Sequence, residues 1–536
     1  GTINIITKEP IRNSGMLSHT ITGIGDGDAF DNSTALNASL VTDDQRAGLY
    51  IFGQNRHRSA YDHDGDGYSE IPKIHGQTVG FRSFLKTSTY SKLTFEYHHM
   101  EEFRRGGDML NRPPHEANVA EQTEHSINGG GLKFDYFSPN ENHRFNVFAS
   151  AQHINRDSYY GPGDRDPLDA YGNTTDLNWM AGSQYVYSFG KCIFMPSDLT
   201  AGIEFNQDKL EDNMWGYNRT VDQKVNIGSA FFQNEWKNEH WGFLIGGRLD
   251  KHNLIDHVIF SPRANLRYNP TENINLRFSY SSGFRAPQAF DEDLHVENVG
   301  GNVAMVELAD NLKEERSQSL SASADIYHRF GAFQVNFLVE GFYTKLSDVF
   351  ALTDGEVVDG ILTRTRHNAS GAQVLGLTLE GKMAYLNKIQ VQAGVTLQQS
   401  HYSKPHIWNK EAPAVKKMMR TPNTYGYFTA TYTPIKPLSI ALSGTYTGSM
   451  LVPHEPVPGF LENPITVNTK DFFDIGLKAA YDFKLYKSMN LQLNAGIQNI
   501  FNAYQDDFDK GADRDSGYIY GPSLPRSFFA GVKISY

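Results

Sequence analysis

Between Tyr61 and Glu70 the chain reads Tyr-Asp-His-Asp-Gly-Asp-Gly-Tyr-Ser-Glu, the sharpest local chemistry in the sequence because its oxygen donors fall at alternate positions. Counted from Asp62, carboxylates fall at the first, third and fifth positions, Gly67 at the sixth, the Tyr68 carbonyl at the seventh and Glu70 at the ninth. Oxygen donors at alternate positions around a glycine are what a hard cation such as Ca2+ requires of a loop. The twelfth position is Lys73 instead of a glutamate, so this is no helix–loop–helix calcium site. Asp62, Asp64, Asp66 and Glu70 are expected either to bind calcium or to form a solvated Asp-Gly turn. Asp164 and Asp166, in Gly163-Asp164-Arg165-Asp166-Pro167-Leu168-Asp169, are candidates to complete a shared site.

Other polar stretches offer recognition chemistry. Arg104 and Arg105 can pair with a ligand phosphate or carboxylate, or with acids nearby in their own loop. Tyr159, Tyr160, Tyr171, Trp215, Tyr217, Phe290 and Trp408 fall in segments read as loops, where they can stack on a large planar ligand or pack on one another. Asp506, Asp507, Asp509, Asp513 and Asp515 share one segment with Lys510 and Arg514 and read as a solvated loop. No Ser/His/Asp, Cys/His or phosphate-cradling glycine constellation occurs at catalytic spacing, so an enzyme is not expected. The single cysteine, Cys192, excludes an intrachain disulfide.

The elements that hold these residues follow from composition and period. A net charge of -12 and a pI near 5.9 give no support for a nucleic-acid partner. Hydrophobic residues make up 39% and mean hydropathy is -0.48, and no window approaches the roughly 18 apolar residues of a spanning helix. An outer-membrane β-barrel has such low hydropathy because alternate residues face a wet lumen, and 28 Tyr with 34 Phe favour it over a soluble enzyme.

Ile389, Val391, Ala393, Val395 and Leu397 alternate with Gln390, Gln392, Gly394, Thr396 and Gln398, and Leu491, Leu493, Ala495 and Ile497 repeat the pattern. Tight turns at Thr42-Asp43-Asp44, Thr87-Ser88-Thr89, Pro139-Asn140-Glu141, Lys237-Asn238-Glu239, Asn269-Pro270-Thr271 and onward alternate with long polar loops, among them 58–73, 104–124, 157–176, 207–224, 282–314 and 502–526. An up-and-down barrel forces short periplasmic turns to alternate with long extracellular loops. With 359–385 taken as one strand, the expectation is all-β: a transmembrane antiparallel up-and-down barrel of about 22 strands with long extracellular loops. The last strand, 527–536, sets Phe528, Ala530, Val532, Ile534 and Tyr536 toward lipid.

Gly1-Thr2-Ile3-Asn4-Ile5-Ile6-Thr7-Lys8, Gly283-Phe284-Arg285-Ala286-Pro287 with Asn311-Leu312-Lys313-Glu314-Glu315, and Asn499-Ile500-Phe501-Asn502-Ala503-Tyr504 with Gly521-Pro522-Ser523-Leu524-Pro525-Arg526 stand in order along the chain. In that order they resemble the motifs of TonB-dependent outer-membrane receptors. The resemblance implies residues 1–10 as the tail of a plug domain and 11–536 as the barrel, with the N-terminus a truncation that leaves out the TonB box and plug body. It implies active import of a bulky, scarce small-molecule nutrient, driven by the TonB energy-coupling complex, in a barrel surrounded by outer-membrane lipid, with a surface lipoprotein as a further candidate partner. The loops with Arg104-Arg105-Gly106-Gly107-Asp108 and Phe290-Asp291-Glu292-Asp293-Leu294-His295 look most like the cobalamin branch. A ferric siderophore or haem is the alternative, haem with His295 as the axial candidate, although Ala309-Asp310-Asn311-Leu312 departs from the haem pattern. A passive porin ranks lower, because it would carry no plug sequence ahead of its first strand. Arg285 is read as structural.

Overall fold

The computed structural model describes residues 9–25, 27–162, 171–294, 303–358, 361–522 and 524–536. Period-two sequences do here what their alternation dictates. Each strand pairs antiparallel with the next, and the first, Ser14–Ile24, pairs with the last, Ser527–Ser535, from Met16↔Ser535 to Ile24↔Ser527. The sheet closes on itself with 22 strands, beside a three-residue fragment, Val415–Lys417, bound only to Ile389–His406. Among the described residues the only helical pieces are short 3-10 turns at Pro114–Glu116, Trp215–Tyr217 and Asp291–Leu294.

Large apolar side chains lie on the outer surface at alternate positions, as in Phe528, Val532 and Ile534 of the last strand and Leu17 and Ile21 of the first. In water such a face would aggregate; in a bilayer it is the favourable one. Phe260 lies across Gly247 and Phe428 across Gly444, so rings of one strand cover the bare backbone of the next.

The expected turns fall at one end of the barrel, although one turn was missed and several others begin one or two residues later than read. A turn at Ile193-Phe194, between Tyr171–Cys192 and Met195–Met214, went unread because its apolar residues look like strand. Pro270 and Thr271 belong to the strand Ile259–Thr271, which bulges before the turn at 272–273. At the opposite end the strands run further than expected. Met195–Met214 and Arg219–Lys237 absorb most of 207–224, and the connection is only Trp215–Asn218. Residues 359–385 are not one strand. Ile361–Asn368 joins Phe350–Val358 and, in parallel, Val303–Leu308 in a small sheet outside the barrel. Only Ala372–Tyr385 is barrel wall. Gly371 marks the break: a side chain there would run into the Leu346 carbonyl.

Among the described residues no apolar core fills the centre of the barrel, and the packed clusters instead sit among the long connections. One joins Tyr160, Met214, Tyr217 and Met305. Others gather Ile24, Ala29, Tyr61 and Ile71; Ala117, Ala120 and Tyr159; and Met450, Val452 and Tyr518. The long connections are thereby a folded cap.

Candidate functional site

The strand Ile361–Asn368 reads Ile-Leu-Thr-Arg-Thr-Arg-His-Asn, so period two sends Arg364 and Arg366 to the same face. That face borders a cavity of about 660 Å³, into which Arg285, at the end of the strand Ile274–Arg285, and Arg420 also project. Phe350, Leu352, Trp408 and Met419 supply apolar wall, and Glu292, Glu455 and Asp515 supply carboxylates. His406 lines the cavity too; burial, with His367 nearby, holds its imidazole below the ordinary range. It is therefore uncharged at pH 7, and the cations of the cavity are guanidiniums.

Their positions are set by a buried ionic chain. The turn Asp291–Leu294 is gripped from several sides: Arg156 Nη1 donates to Asp291 at 2.9 Å, Arg366 Nη1 to Asp293 at 2.7 Å, and Arg219 to the Asp293 carbonyl. Asp212, 1% exposed, accepts from Thr174 at 2.5 Å and lies 3.8 Å from Arg156 and 4.0 Å from Arg219. Arg285 pairs with Glu292 and stacks 3.9 Å above Phe290. Arg156, Arg219, Arg366, Asp212 and Asp293 are buried, and such desolvated charges are tolerable only because each cation meets an acid or carbonyl, whereas Asp291, Glu292 and Arg285 form the exposed edge of the chain. Arg420 differs: it donates to the carbonyls of Ile519, at 2.7 Å, and Gly517. Burial lowers its guanidinium from the ordinary value, and Asp515 partly opposes this.

The loop after the third strand is ordered by its own carboxylates. Asp62 accepts the Gly65 and Gly67 amides at 2.8 Å each, Asp64 the Asp66 amide at 3.2 Å, and Glu70 the His63 amide at 2.6 Å. Oxygens of Asp62, Asp64 and Glu70 come within 4.8 Å of one another. Asp66 is drawn aside, because Arg514 of the last connection bonds both it and Glu70, and the Gly511 amide also donates to it. These two acids are pushed in opposite directions. Burial dominates at Glu70 and raises its carboxyl, against the His63 amide and Arg514. At Asp66 burial also raises, but the Gly511 and Tyr68 amides and Arg514 outweigh it and lower the carboxyl.

The remaining residues singled out in the sequence are dispersed. Arg105, 1% exposed, donates back to the Gly106 and Asp108 carbonyls and so holds its own turn. Arg104 is exposed, pairs with Glu102 at 2.6 Å, and borders a second cavity of about 410 Å³. Tyr159 and Tyr160 are buried in separate apolar clusters, so in this conformation they pack the loops instead of presenting a surface. Trp215 is exposed at a turn away from the arginine cavity. Phe290 meets the cavity indirectly, beneath Arg285. Gly1 to Lys8, Asp164, Asp166 and His295 lie outside the described residues.

Sequence reasoning missed Arg364, Arg366, Arg420, His406 and Glu455. The Arg-Thr-Arg spacing was a usable signal, hidden by assigning it to a barrel strand.

Comparison with known proteins places this geometry. Residues 12–500 match the family model described as TonB dependent receptor-like, beta-barrel. No curated protein matches the chain. Among solved structures it is similar to the siderophore receptor PirA from Acinetobacter baumannii, at 14% identity and a TM-score of 0.77, over 99% of this chain and 82% of that one. It is similar to the ferric enterobactin receptor PfeA from Pseudomonas aeruginosa, in a mutant form, at 14% identity and 0.74, over 98% and 80%. The ferric-catecholate import receptor Fiu from E. coli K12 gives 14% and 0.72, over 100% and 83%. Identities this low speak to fold, which is the same closed barrel. Family match and fold together make the chain a member of the TonB-dependent receptors, transporters of the bacterial outer membrane and not enzymes.

Proposed function

We propose that this receptor imports an anionic ferric siderophore. The observation that carries the reading is the convergence of Arg285, Arg364, Arg366 and Arg420 on one cavity beside Phe350 and Trp408. Guanidiniums present planar, paired donors suited to carboxylate or catecholate oxygens, and aromatic rings complement an aryl chelate. A cobalamin-sized ligand with mostly amide edges has little use for four guanidiniums, so the first expectation from sequence finds no support here. The names of the similar structures, receptors for siderophores, ferric enterobactin and ferric catecholates, point the same way. Coupling to TonB through a plug completes the transport reading.

Titration of full-length receptor in detergent with ferric enterobactin, ferrichrome, haem and cyanocobalamin tests it. Ferric enterobactin binds most tightly, and Arg420→Ala weakens it by about tenfold, the worth of one charge-assisted contact. Cyanocobalamin binding without binding of any ferric chelate would sink the proposal.

We also propose calcium at Asp62, Asp64 and Glu70. The Asp64 Oδ2 atom is shielded from solvent and receives no hydrogen bond, with Lys510 Nζ the nearest cation at 3.5 Å. Such an oxygen beside two convergent carboxylates fits a hard cation, whereas Asp66 remains with Arg514. Calorimetry of wild type and Asp64→Ala should show calcium uptake lost in the variant. Equal uptake by both would remove the site.

A further inference from the structure

The arginine cavity contains an anion of its own. Glu455 enters from the hairpin formed by Leu451–His454 and Ile465–Asn468, and its Oε1 accepts from Arg364 Nη2 at 3.1 Å while Oε2 accepts from Asn409 Nδ2 at 2.9 Å. The other two acids of the lining are engaged differently. Glu292 pairs with Arg285 and stands 3.6 Å from Arg366 at the exposed edge of the ionic chain. Asp515 accepts the backbone amides of Glu455 and Gly517, at 2.9 and 2.8 Å, as a structural cap.

The hairpin does not depend on the Glu455 carboxylate for its place. Its main chain is tied to the last connection through the Glu455 amide. The neighbouring His454, buried, meets Asp509 at 2.9 Å and stacks on Tyr518 with ring centres 3.8 Å apart. The carboxylate, on a flexible stem, can therefore leave Arg364 by side-chain rotation while the backbone stays seated.

We infer that Glu455 is a specificity-determining residue: a built-in carboxylate that an incoming anion must displace from Arg364. Resting on the siderophore reading above, it sets a charge threshold. A singly charged ligand gains little by exchanging one carboxylate for another, and a neutral chelate gains nothing from Arg364. A multiply charged chelate offers more oxygens to the neighbouring guanidiniums than Glu455 can, and takes the site. Selectivity arises from a competing anion as much as from the attraction of the arginines.

The test uses full-length receptor in detergent, wild type against Glu455→Gln, with Glu455→Ser as a second variant and heat-modifiable gel mobility confirming a folded barrel. Two readouts are taken. The first is labelling of Arg364 by phenylglyoxal without ligand, read by peptide mass spectrometry, with Arg420 as internal reference. Loss of the carboxylate should raise Arg364 labelling several-fold and leave Arg420 unchanged. The second is the affinity for trianionic ferric enterobactin and for neutral ferrichrome. Glu455→Gln should tighten the first by about tenfold, the effect of one removed like charge, and leave the second unaltered. Unchanged Arg364 labelling in both variants, or equal tightening of both chelates, would overturn the inference. Raised labelling with no binding of either chelate by any form would leave Glu455 as the counter-anion of Arg364 and refute the siderophore reading instead.

Discussion

Arg514 reaches Asp66 and Glu70 together, and the opposite displacement of those two carboxyls gives a test at the level of single residues. Asp66 is lowered in the folded protein, so its contribution is fully present above the ordinary aspartate value of about 3.9 and is lost as pH falls through the lowered one. Glu70 is raised, so its contribution is present in acid and lost as pH rises through the raised value. At pH 7, Asp66→Asn should therefore loosen the junction between Asp62–Glu70 and the last connection, and Glu70→Gln should not. Hydrogen exchange at the Gly511 and Tyr68 amides, which donate to Asp66, should quicken by about tenfold in Asp66→Asn. The difference should vanish only once the pH falls below the lowered value, where the wild-type carboxyl is also neutral. An Asp66→Asn effect of equal size at every pH would show that the tie is steric.

The strands and turns make their own predictions. Ile193 adopts a φ of 65° in the turn between Tyr171–Cys192 and Met195–Met214. A β-branched side chain in the left-handed region is strained by about 1–2 kcal/mol. Ile193→Gly should relieve most of this, raising resistance to urea-driven unfolding from detergent micelles; lower resistance would mean that the exposed Ile193 side chain contributes more through membrane contact than its backbone costs. In the last strand Ala530 opposes Ile21 and Ala495 and shares the outward face of Phe528 and Val532. On the adjacent strand Asn494 points inward, against Gly531. Ala530→Arg should cost about 2–4 kcal/mol near mid-membrane and depress assembly, whereas Asn494→Lys should be tolerated. Heat-modifiability of outer-membrane fractions separates the two, and equal loss in both would contradict the assigned faces.

For the molecule as a whole, closure joins residues more than 500 positions apart, Leu17 with Ile534 and Ile21 with Ala530. Pairing so remote in sequence carries a large loop-closure cost and is favourable only once the intervening strands have formed. The pair Leu17→Cys with Ile534→Cys should crosslink within the chain under copper-phenanthroline oxidation, and Leu17→Cys with Phe528→Cys should not. Crosslinking of both, or of neither, would break the seam register. At the loop end the same proximity lets the last connection hold the loop after the third strand: His63 sits edge-on to Tyr504 at 3.9 Å, alongside the Arg514 bonds. The cap is thus fastened across the closure seam.

Alternating side chains and alternating connection lengths determined the class of fold, because a strand with one lipid face and one wet face must show both in its sequence. The strand count came out right although 359–385 was misread, since one strand of the cap was merged into a barrel strand and the total was unchanged. The carboxylate loop was legible for a related reason: Asp62 to Glu70 are neighbours in sequence, and local spacing nearly dictates their geometry. The arginine cavity was not legible. Arg285, Arg364, Arg420 and Glu455 come from four separate connections, and no local period records which loops will meet above a closed barrel. Tyr159 and Tyr160 show the converse, being well suited to stacking by type yet buried against Ala120 and Met305. Residue type states what a side chain can do; for the loops of this receptor, only the packing of one connection on another decided which side chains remain open to a ligand.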